Sequence, residues 1–294
     1  MQEFKDVQEL EAANILEGGK LNRYRFDSEN HIHLLDNKPL LGTSTITQII
    51  SKGHSLNWWA SGKALELLGW TPAPKWKPSL KLTSSQISEL KIKRLEPICE
   101  AWKSISNMNT EQILTLLDKC YKNWKTSLDD SAEKGIDLHA ELERFIKDNM
   151  QGLMGEYDDK IQPFIDWTAL NVKKFLWSEA HCYSEKLWCG GISDFGAELK
   201  DGRIILGDFK SSKEAYISHF FQGAGYAIQI EENGLLDAQG NKIGSCDHID
   251  DLMIVPFGAK EVKPVFNKLS MDLYKEGFIA ATKLHGIVNM EKEF

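Results

Sequence analysis

The sequence predicts an α/β or α+β protein in which a sheet is flanked by helices. Helical periodicity dominates the first half of the chain, apolar alternation marks consecutive strands between about 178 and 210, and a helix, a strand and a further helix follow. With 294 residues, 42% of them hydrophobic and 27% charged, the chain resembles soluble globular proteins and can bury a large core. We predict a single domain, 1–294, with a hairpin and helical part at 1–128 and a core at 129–294.

The part at 1–128 combines one hairpin with several helices. A mixed-charge helical pattern over 1–20 precedes a predicted β-hairpin, in which 23–27 and 31–35 flank turn-forming residues. Thr43 and its neighbours then predict a capped start to a short helix. Further helices are predicted at about 56–68, 85–105 and 110–127.

A basic, proline-rich loop is predicted at 71–81. It contains three prolines, three lysines and Trp76, and the wider segment 63–94 has seven basic residues against two acidic ones. The net charge of the chain is −8, so binding of a polyanion would depend on such a local basic segment. Because any base can stack on an indole, Lys75, Trp76 and Lys77 are candidates for DNA contacts. The alternative is that Trp76 anchors the loop to the core.

The core is predicted to begin with helices, continue with an antiparallel set of strands, and end with helix, strand and helix. This order predicts a sheet with helices packed on it. Helices are expected at about 130–149, 158–176 and 215–232 and from 270, strands at about 178–188, 191–199, 203–210, 252–257 and 260–266, and a loop at 233–247.

The centre of the predicted sheet is a β-hairpin with a three-residue loop, Lys200-Asp201-Gly202. Glycine in the third position supplies the left-handed backbone that such a loop requires. In this register Asp194 lies opposite Asp208, with Cβ atoms about 5 Å apart, and Lys210 points to the same face. A two-residue loop would put the two aspartates on opposite faces. The other face of the hairpin is apolar and consists of Phe195, Ala197, Leu199, Ile205 and Phe209.

Asp194, Asp208 and Lys210 are the strongest candidates for catalysis. Two opposed carboxylates repel, and both stay ionised most easily with a cation between them, for which hard oxygen ligands favour Mg²⁺ or Mn²⁺. Such an ion could polarise a phosphoryl oxygen and lower the pKa of bound water, while Lys210 would orient that water or neutralise developing charge. The alternative is a solvent-exposed Asp–Lys ion pair at a strand end.

Four further residues could complete this site. His139 falls within the apolar stripe of its predicted helix, so it is a candidate metal ligand or, alternatively, a buried core histidine. Glu185, at a strand end, is a candidate second carboxylate or a solvated edge residue. Gln222 and Tyr226 share a polar helical stripe that could bind phosphate and stack on a base, or could be an ordinary exposed face.

Neither the cysteines nor the hydropathy indicates an extracellular or membrane protein. The five cysteines are irregularly spaced without a CxxC pair, which argues against a disulfide framework, a zinc site and an iron–sulfur cluster and favours reduced, mostly buried thiols. No apolar run approaches the roughly 20 residues that span a bilayer, and the N-terminus lacks a signal pattern. We therefore expect a cytoplasmic protein without membrane contact.

Four motifs follow one another in an order that is typical of one nuclease superfamily. They are Gly135-x-x-x-His139; Glu185 ahead of Gly190-Gly191-Ile192-Ser193-Asp194; Asp208-Phe209-Lys210-Ser211-Ser212; and Gln222-x-x-x-Tyr226. In these motifs, and in the segment from Gly42 to Trp58-Trp59, the chain resembles the PD-(D/E)XK nuclease superfamily, in particular its RecB-like and phage-type exonuclease branch. The resemblance covers about 42–230 and implies a restriction-endonuclease-like core, a small mixed central sheet flanked by helices, with a helical N-terminal extension.

The resemblance also implies roles for individual residues. Lys210 would be the catalytic lysine, and Gln222 and Tyr226 would position DNA. The chain lacks the cysteines that hold an iron–sulfur cluster in several relatives, so no cluster is expected, and Ile192-Ser193 precedes Asp194 where the superfamily name has proline. The implied metal ligands are His139, Asp194, Asp208 and the carbonyl oxygen of Phe209.

The function implied is that of a stand-alone Mg²⁺- or Mn²⁺-dependent DNA exonuclease of phage or prophage type, acting in replication, recombination or repair. It would hydrolyse phosphodiester bonds of single strands or duplex ends, in the host cytoplasm if phage-encoded. Two alternatives stay open: a catalytically silent nucleic-acid-binding module, and a structure-specific endonuclease on the same fold. The motifs indicate neither a protein partner nor a digestion polarity.

Overall fold

The structure, a computed structural model, describes residues 22–50, 63, 65–69, 96–258 and 262–290, without the side chains of 124–137 and 290. The predicted helix over 1–20, the loop at 71–81 with Lys75, Trp76 and Lys77, and most of the helices at 56–68 and 85–105 lie outside the described residues. The chain divides into two compact units. One takes the described residues up to Ile50 and from Leu138 onwards, and the other falls within Ser51–Asp137. The N-terminal hairpin thus groups with the core, whereas the sequence-based division at 128 grouped it with the helices.

The second unit is helical where it is described. Residues 96–105 form a helical segment, and a long helix begins at Thr110. Lys63 forms an ion pair with Glu66 at 2.9 Å, and its carbonyl oxygen accepts a hydrogen bond from the side-chain amide of Asn123.

The first unit contains two sheets. The smaller one is antiparallel and consists of β1 (Tyr24–Asp27), β2 (Ile32–Leu35) and β3 (Lys38–Pro39). The larger one has eight strands, namely β4 (Leu41–Gly42), β5 (Val172–Ser184), β6 (Cys189–Leu199), β7 (Ile204–Lys210), β8 (Leu235–Leu236), β9 (Lys242–Gly244), β10 (Asp251–Pro256) and β11 (Val265–Phe266).

The larger sheet is mixed. Its strands follow the order β11-β10-β7-β6-β5-β8-β9, and β4 pairs in parallel with β6. β5, β6 and β7 are antiparallel neighbours, while β10 lies parallel to β7. A parallel neighbour requires a crossover connection, which the helix between β7 and β10 provides. The general class predicted from the sequence, a sheet flanked by helices, is confirmed.

The structure differs from three of the predicted helices: two of them are joined into one, and a third ends early. The helices are α1 (Thr43–Thr47), α2 (Thr110–Met150), α3 (Gln162–Asn171), α4 (Ile217–Asn233) and α5 (Met271–Met290). α2 is continuous where two helices were predicted, because no glycine or proline interrupts its first 25 residues. α3 ends at Asn171 rather than 176, since the residues that follow pair with β6 instead. None of the helices in the described residues is long and apolar enough to cross a membrane.

Apolar side chains cover both faces of the larger sheet. On one face, Leu142 and Phe145 of α2 and Phe164 of α3 pack on the residues predicted as the apolar face of the hairpin, which is confirmed. On the other face, Phe220 of α4 and Tyr274 of α5 pack with Trp177 of β5, Leu206 of β7 and Leu252 of β10. β5, β7 and β10 are therefore held between two layers of helices.

Candidate metal centre

The β6–β7 hairpin has the three-residue loop predicted for it. Leu199 pairs with Arg203 through an N–H···O bond of 2.8 Å, and the N–H of Gly202 donates to the Leu199 carbonyl at 3.0 Å. Gly202 has a φ of +93°, the left-handed conformation that excludes most side chains. The paired residues run from Glu198–Ile204 to Phe195–Gly207. The predicted register is confirmed.

Asp194 and Asp208 are the next two residues in this register, but they do not continue the ladder. The carboxylate of Asp194 takes over instead, because its Oδ2 accepts a hydrogen bond of 2.6 Å from the main-chain N–H of Phe209. The strands thus separate at the point where the two aspartates meet. Asp194 is fixed by the backbone of the neighbouring strand.

Glu179 on β5 joins the site, and the sequence analysis missed it. The β5–β6 ladder pairs Ser178 with Phe195 and Ala180 with Ser193, so Glu179 lies opposite Asp194 but outside the ladder. Its φ is +53°, a left-handed conformation that costs a non-glycine residue about 1–2 kcal/mol. Such strain is concentrated at functional sites. The strands predicted at 178–188 and 191–199 do not give this pairing, which depends on the four-residue turn between Ser184 and Cys189 seen in the structure.

His139 of α2 contacts both carboxylates. Its Nε2 lies 3.5 Å from Asp194 Oδ2 and its Nδ1 lies 3.9 Å from Glu179 Oε1. Its ring packs edge-on against Phe209, with centroids 5.6 Å apart. One ligand atom from each of His139, Glu179 and Asp194 lies within 4.8 Å of the other two. The structure therefore brings the predicted ligands His139 and Asp194 together with a third.

Asp208 and Lys210 form an ion pair beside this group. Asp208 is 1% exposed, and its Oδ2 lies 2.6 Å from Lys210 Nζ. No aligned hydrogen-bond donor reaches this oxygen among the described residues. The Lys210 ammonium neutralises this buried carboxylate, and a cation bound there would share it with Lys210.

Burial and neighbouring carboxylates raise the pKa values of Asp208 and Glu179. Burial raises the pKa of Asp208 to about 6, against the effect of the adjacent ammonium, and Asp194 adds to the rise. Burial also raises the pKa of Glu179 to about 7, with further contributions from Asp194 and Glu143. Burial alone would lower the pKa of His139, but Asp194, Glu179 and Glu143 together raise it above its usual value. The site concentrates negative charge that its own cations do not balance.

This set of residues fits a divalent cation. An imidazole nitrogen and two carboxylates are within mutual reach, and a third carboxylate has an enclosed oxygen without an aligned donor. Carboxylate oxygens suit Mg²⁺ and Mn²⁺. Phe209 contributes its N–H to Asp194 and its ring to His139, while a role for its carbonyl oxygen as a ligand stays a prediction.

Glu185 does not belong to the site. It lies in the turn between β5 and β6, at the end of the hairpin away from Glu179. Its carboxylate is half exposed and accepts hydrogen bonds from Arg23 at 2.9 and 3.0 Å, and Arg23 also pairs with Asp36. Glu185 therefore does not join His139 and Asp194; its carboxylate pairs with Arg23, and the carboxylate that joins them is Glu179 of β5.

The polar stripe on α4 is interior rather than exposed. Tyr226 is 5% exposed, and its hydroxyl accepts a hydrogen bond of 2.6 Å from Gln222 Nε2. It packs so closely on Gly191 that a Cβ there would lie 2.4 Å from its ring. The prediction that DNA stacks directly on Tyr226 is therefore wrong, because the ring is covered. Gln222 is half-buried. A polar pattern at helical spacing does not reveal whether the polar face is solvated.

The interior part of this stripe connects α4 to the start of the core. Gln229 is fully buried and donates to Thr43 Oγ1 at 2.7 Å, and Thr43 in turn donates to the Gly190 carbonyl at 2.9 Å. Gln229 also lies against the thiols of Cys182 and Cys189. All five cysteines are free; these two and Cys120 are buried, Cys246 is half-buried and Cys99 is exposed. The network holds β6, which carries Asp194, against α1 and α4.

A scan of the chain against models of known protein families found no match, and a search among curated proteins found none either.

Proposed function

We propose that this protein is a Mg²⁺- or Mn²⁺-dependent deoxyribonuclease that hydrolyses phosphodiester bonds from DNA ends. The observation that carries the proposal is the convergence of His139, Glu179 and Asp194 beside the buried Asp208–Lys210 ion pair. Nitrogen and oxygen ligands with a lysine at their edge suit hydrolysis of a phosphate ester. The motifs that resemble RecB-like nucleases support the same class of reaction.

His139, Glu179 and Asp194 would hold the ion, and Asp208 would join them through its enclosed Oδ2. A divalent ion bound there supplies Lewis acidity to the phosphoryl oxygen and to the attacking water. The Phe209 N–H already fixes Asp194, so this carboxylate is oriented before substrate arrives. The strained backbone of Glu179 likewise directs its side chain toward His139 in advance.

Lys210 would act on the substrate rather than on the ion. It is partly exposed at the end of β7, with its ammonium held 2.6 Å from Asp208. From that position it would hold the attacking water or neutralise charge on the phosphate in the transition state. The lysine ammonium is a compact positive charge with three N–H donors, which suits contact with a phosphate oxygen or a water.

The finer fold assignment is part of the same proposal. A mixed sheet with α2 and α3 on one face and α4 and α5 on the other is compatible with a restriction-endonuclease-like core. Action on DNA ends, rather than on closed circles or RNA, is suggested by the resemblance to exonucleases. The two alternatives are separated by the experiments below.

Digestion of end-labelled single- and double-stranded DNA tests the proposal directly. We expect shortening with Mg²⁺ or Mn²⁺, none with chelator, and no nicking of covalently closed circles. Asp208→Asn and Lys210→Ala should abolish it. Matched controls are Asp201→Asn, an exposed loop aspartate on the same hairpin, and Lys213→Ala, an exposed lysine three residues after Lys210; both should retain activity.

Three outcomes would change the assignment. Digestion by Asp208→Asn at the wild-type rate would show that the site is placed wrongly. Nicking of closed circles would favour the endonuclease. DNA binding without cleavage in any divalent metal, together with a flat calorimetric titration with Mn²⁺, would favour a catalytically silent binding module.

A further inference from the structure

A cluster of four rings lies at the tip of the N-terminal hairpin, against β5, the strand that carries Glu179. Phe26 is at its middle: the ring centroids of His33, His181 and His31 lie 4.8, 5.0 and 5.9 Å from that of Phe26. Phe26 and His31 are stacked, with 19° between their planes. His33 and His181 are buried, whereas Phe26 is partly exposed and His31 is exposed. The cluster thus consists of two buried histidines and a solvent-facing ring pair, Phe26 and His31.

The two buried histidines of the cluster share a hydrogen-bond partner, the Tyr24 hydroxyl. The Tyr24 hydroxyl lies 2.7 Å from His33 Nδ1 and 3.1 Å from His181 Nδ1. One hydroxyl can donate to one imidazole and accept from the other, which gives both Nδ1 atoms a partner, and burial lowers the pKa of both rings. These contacts hold the position of Phe26 but do not involve His31.

His31 stacks on Phe26 from a strained position in the turn. Its φ is +55°, in the left-handed region where glycine or asparagine would cause less strain. The turn is already fixed by Asp27, whose carboxylate accepts hydrogen bonds from the N–H of Glu29 and from the N–H and side chain of Asn30. A strained, exposed aromatic residue on a well-fixed turn suggests that the ring itself is needed.

The ring pair contacts the strand that carries Glu179. His181, which contacts Phe26, is two residues after Glu179 on β5, so their Cα atoms are at most about 7 Å apart. A nucleotide beside a phosphate bound at Glu179 would therefore pass near the hairpin tip. Stacking on an aromatic face suits a base that is not paired, whatever its identity.

We propose that the Phe26–His31 ring pair is a stacking site for an unpaired base of the DNA strand, adjacent to the phosphate that is cleaved. The inference rests on the proposed nuclease function and specifies its substrate: a strand that is single-stranded next to the cleaved bond. The site makes no use of base edges, so it does not select sequence. The two hairpin strands provide the rigid support for it.

The test compares His31→Asn with His31→Tyr in oligonucleotide binding. Asparagine accepts the left-handed backbone but removes the ring, whereas tyrosine keeps a ring. Binding is measured by fluorescence anisotropy with Mg²⁺ in a Lys210→Ala background, which prevents digestion. The probes are single strands with an intact terminal base or with an abasic terminal nucleotide, at either end.

We expect His31→Asn to weaken binding of the intact strand about tenfold and His31→Tyr to weaken it little. The protein with His31 intact should bind the abasic strand about tenfold more weakly than the intact strand. His31→Asn should bind the abasic strand as tightly as the protein with His31 does. Thermal stability of His31→Asn should be equal or higher, which excludes unfolding as the cause. Ser28→Ala, an exposed change in the same loop, serves as the control and should bind normally.

Two results would overturn the proposal. If His31→Asn binds the intact strand as tightly as His31 does, or if its loss persists on the abasic strand, the ring does not stack on a base. If Asp208→Asn abolishes digestion as proposed but the losses from His31→Asn and from the missing base prove independent, only the stacking site fails. If the protein neither binds nor cleaves DNA in any divalent metal, the nuclease proposal fails and the stacking site with it.

Discussion

Two positions on β5, only two residues apart, show what distinguishes a buried polar group that stabilises the fold from one that serves a site. His181 belongs to a closed set in which the Tyr24 hydroxyl bridges two imidazoles. Glu179 faces Asp194 and His139 in a set with excess negative charge and, close by, an enclosed oxygen of Asp208 without an aligned donor. The first set is complete in itself, whereas the second is complete only with a cation.

The largest difference should appear when one polar group is removed from each set. Asp208→Asn is expected to lower the rate of DNA digestion about 10³-fold while the fold is retained, because it removes a charge that acts in the transition state. Tyr24→Phe should leave digestion nearly unchanged but lower the free energy of unfolding by about 2 kcal/mol, since two buried nitrogens lose their partner. Single-turnover digestion and urea unfolding measure the two effects. Equal loss of activity in both variants would contradict the distinction.

Neutralising Glu179 should stabilise the protein when no metal is bound. Its pKa is raised from 4.5 to about 7 in the folded state, so above pH 7 the ionised Glu179 destabilises the folded protein. This destabilisation disappears as the pH falls from 7 toward 4.5, because the folded protein then takes up the proton. Glu179→Gln should therefore raise the unfolding free energy at pH 8 in chelator by about 2 kcal/mol and raise it little at pH 5. Differential scanning calorimetry at both pH values checks this. The same variant should bind Mn²⁺ more weakly.

The imidazole set should respond to pH in the opposite direction. Burial lowers the pKa of His33 to about 4, so the unfolded chain takes up a proton before the folded one, and stability is lost as the pH falls from about 6.5 to 4. At pH 5 the loss is about 2 kcal/mol. This loss opposes the gains at Glu179 and Asp208 over the same pH range. In Glu179→Gln, where one of those gains is removed, stability should fall more, or rise less, from pH 8 to pH 5 than in the wild type. An identical change in the two proteins by urea unfolding would contradict the assignment.

The smallest expected effect is on metal affinity. Since the pKa values of His139 and Glu179 are raised by their neighbours, protons compete with the ion near neutral pH. Affinity for Mn²⁺ should fall about tenfold between pH 7.5 and pH 6, and binding should release protons. Titration calorimetry in two buffers of different ionisation enthalpy counts those protons. An affinity independent of pH would exclude His139 and Glu179 as ligands.

The parts of the site that were predicted from the sequence are those that local chemistry determines. The glycine in the Lys200-Asp201-Gly202 loop fixes the turn, the turn fixes the register, and the register brings Asp194 to Asp208. The apolar stripe around His139 likewise determines which face of α2 meets the sheet. Each of these follows from residues within a few positions of one another.

The parts that were missed depend on distant contacts. Glu179 adopts a left-handed backbone that its own residue type disfavours, and only its place against Asp194 and His139 explains it. Tyr226 looked exposed by its polar neighbours, but its cover comes from Gly191 of a different element. Glu185 was chosen by its position near a motif, and its partner Arg23 is remote in the chain.

The hydrogen bond between Gln229 and Thr43 also has a consequence for how the chain is made. The two residues are 186 positions apart. At synthesis rates of roughly 5–20 residues per second, the start of the core waits roughly 10–40 s for the helix that receives it. During that interval apolar residues such as Tyr24 and Leu35, buried in the finished protein, are without β5 and β8, the strands that cover them. A newly made chain is therefore most exposed to aggregation before α4 and β8 are complete, and co-expression with chaperones should raise its soluble yield.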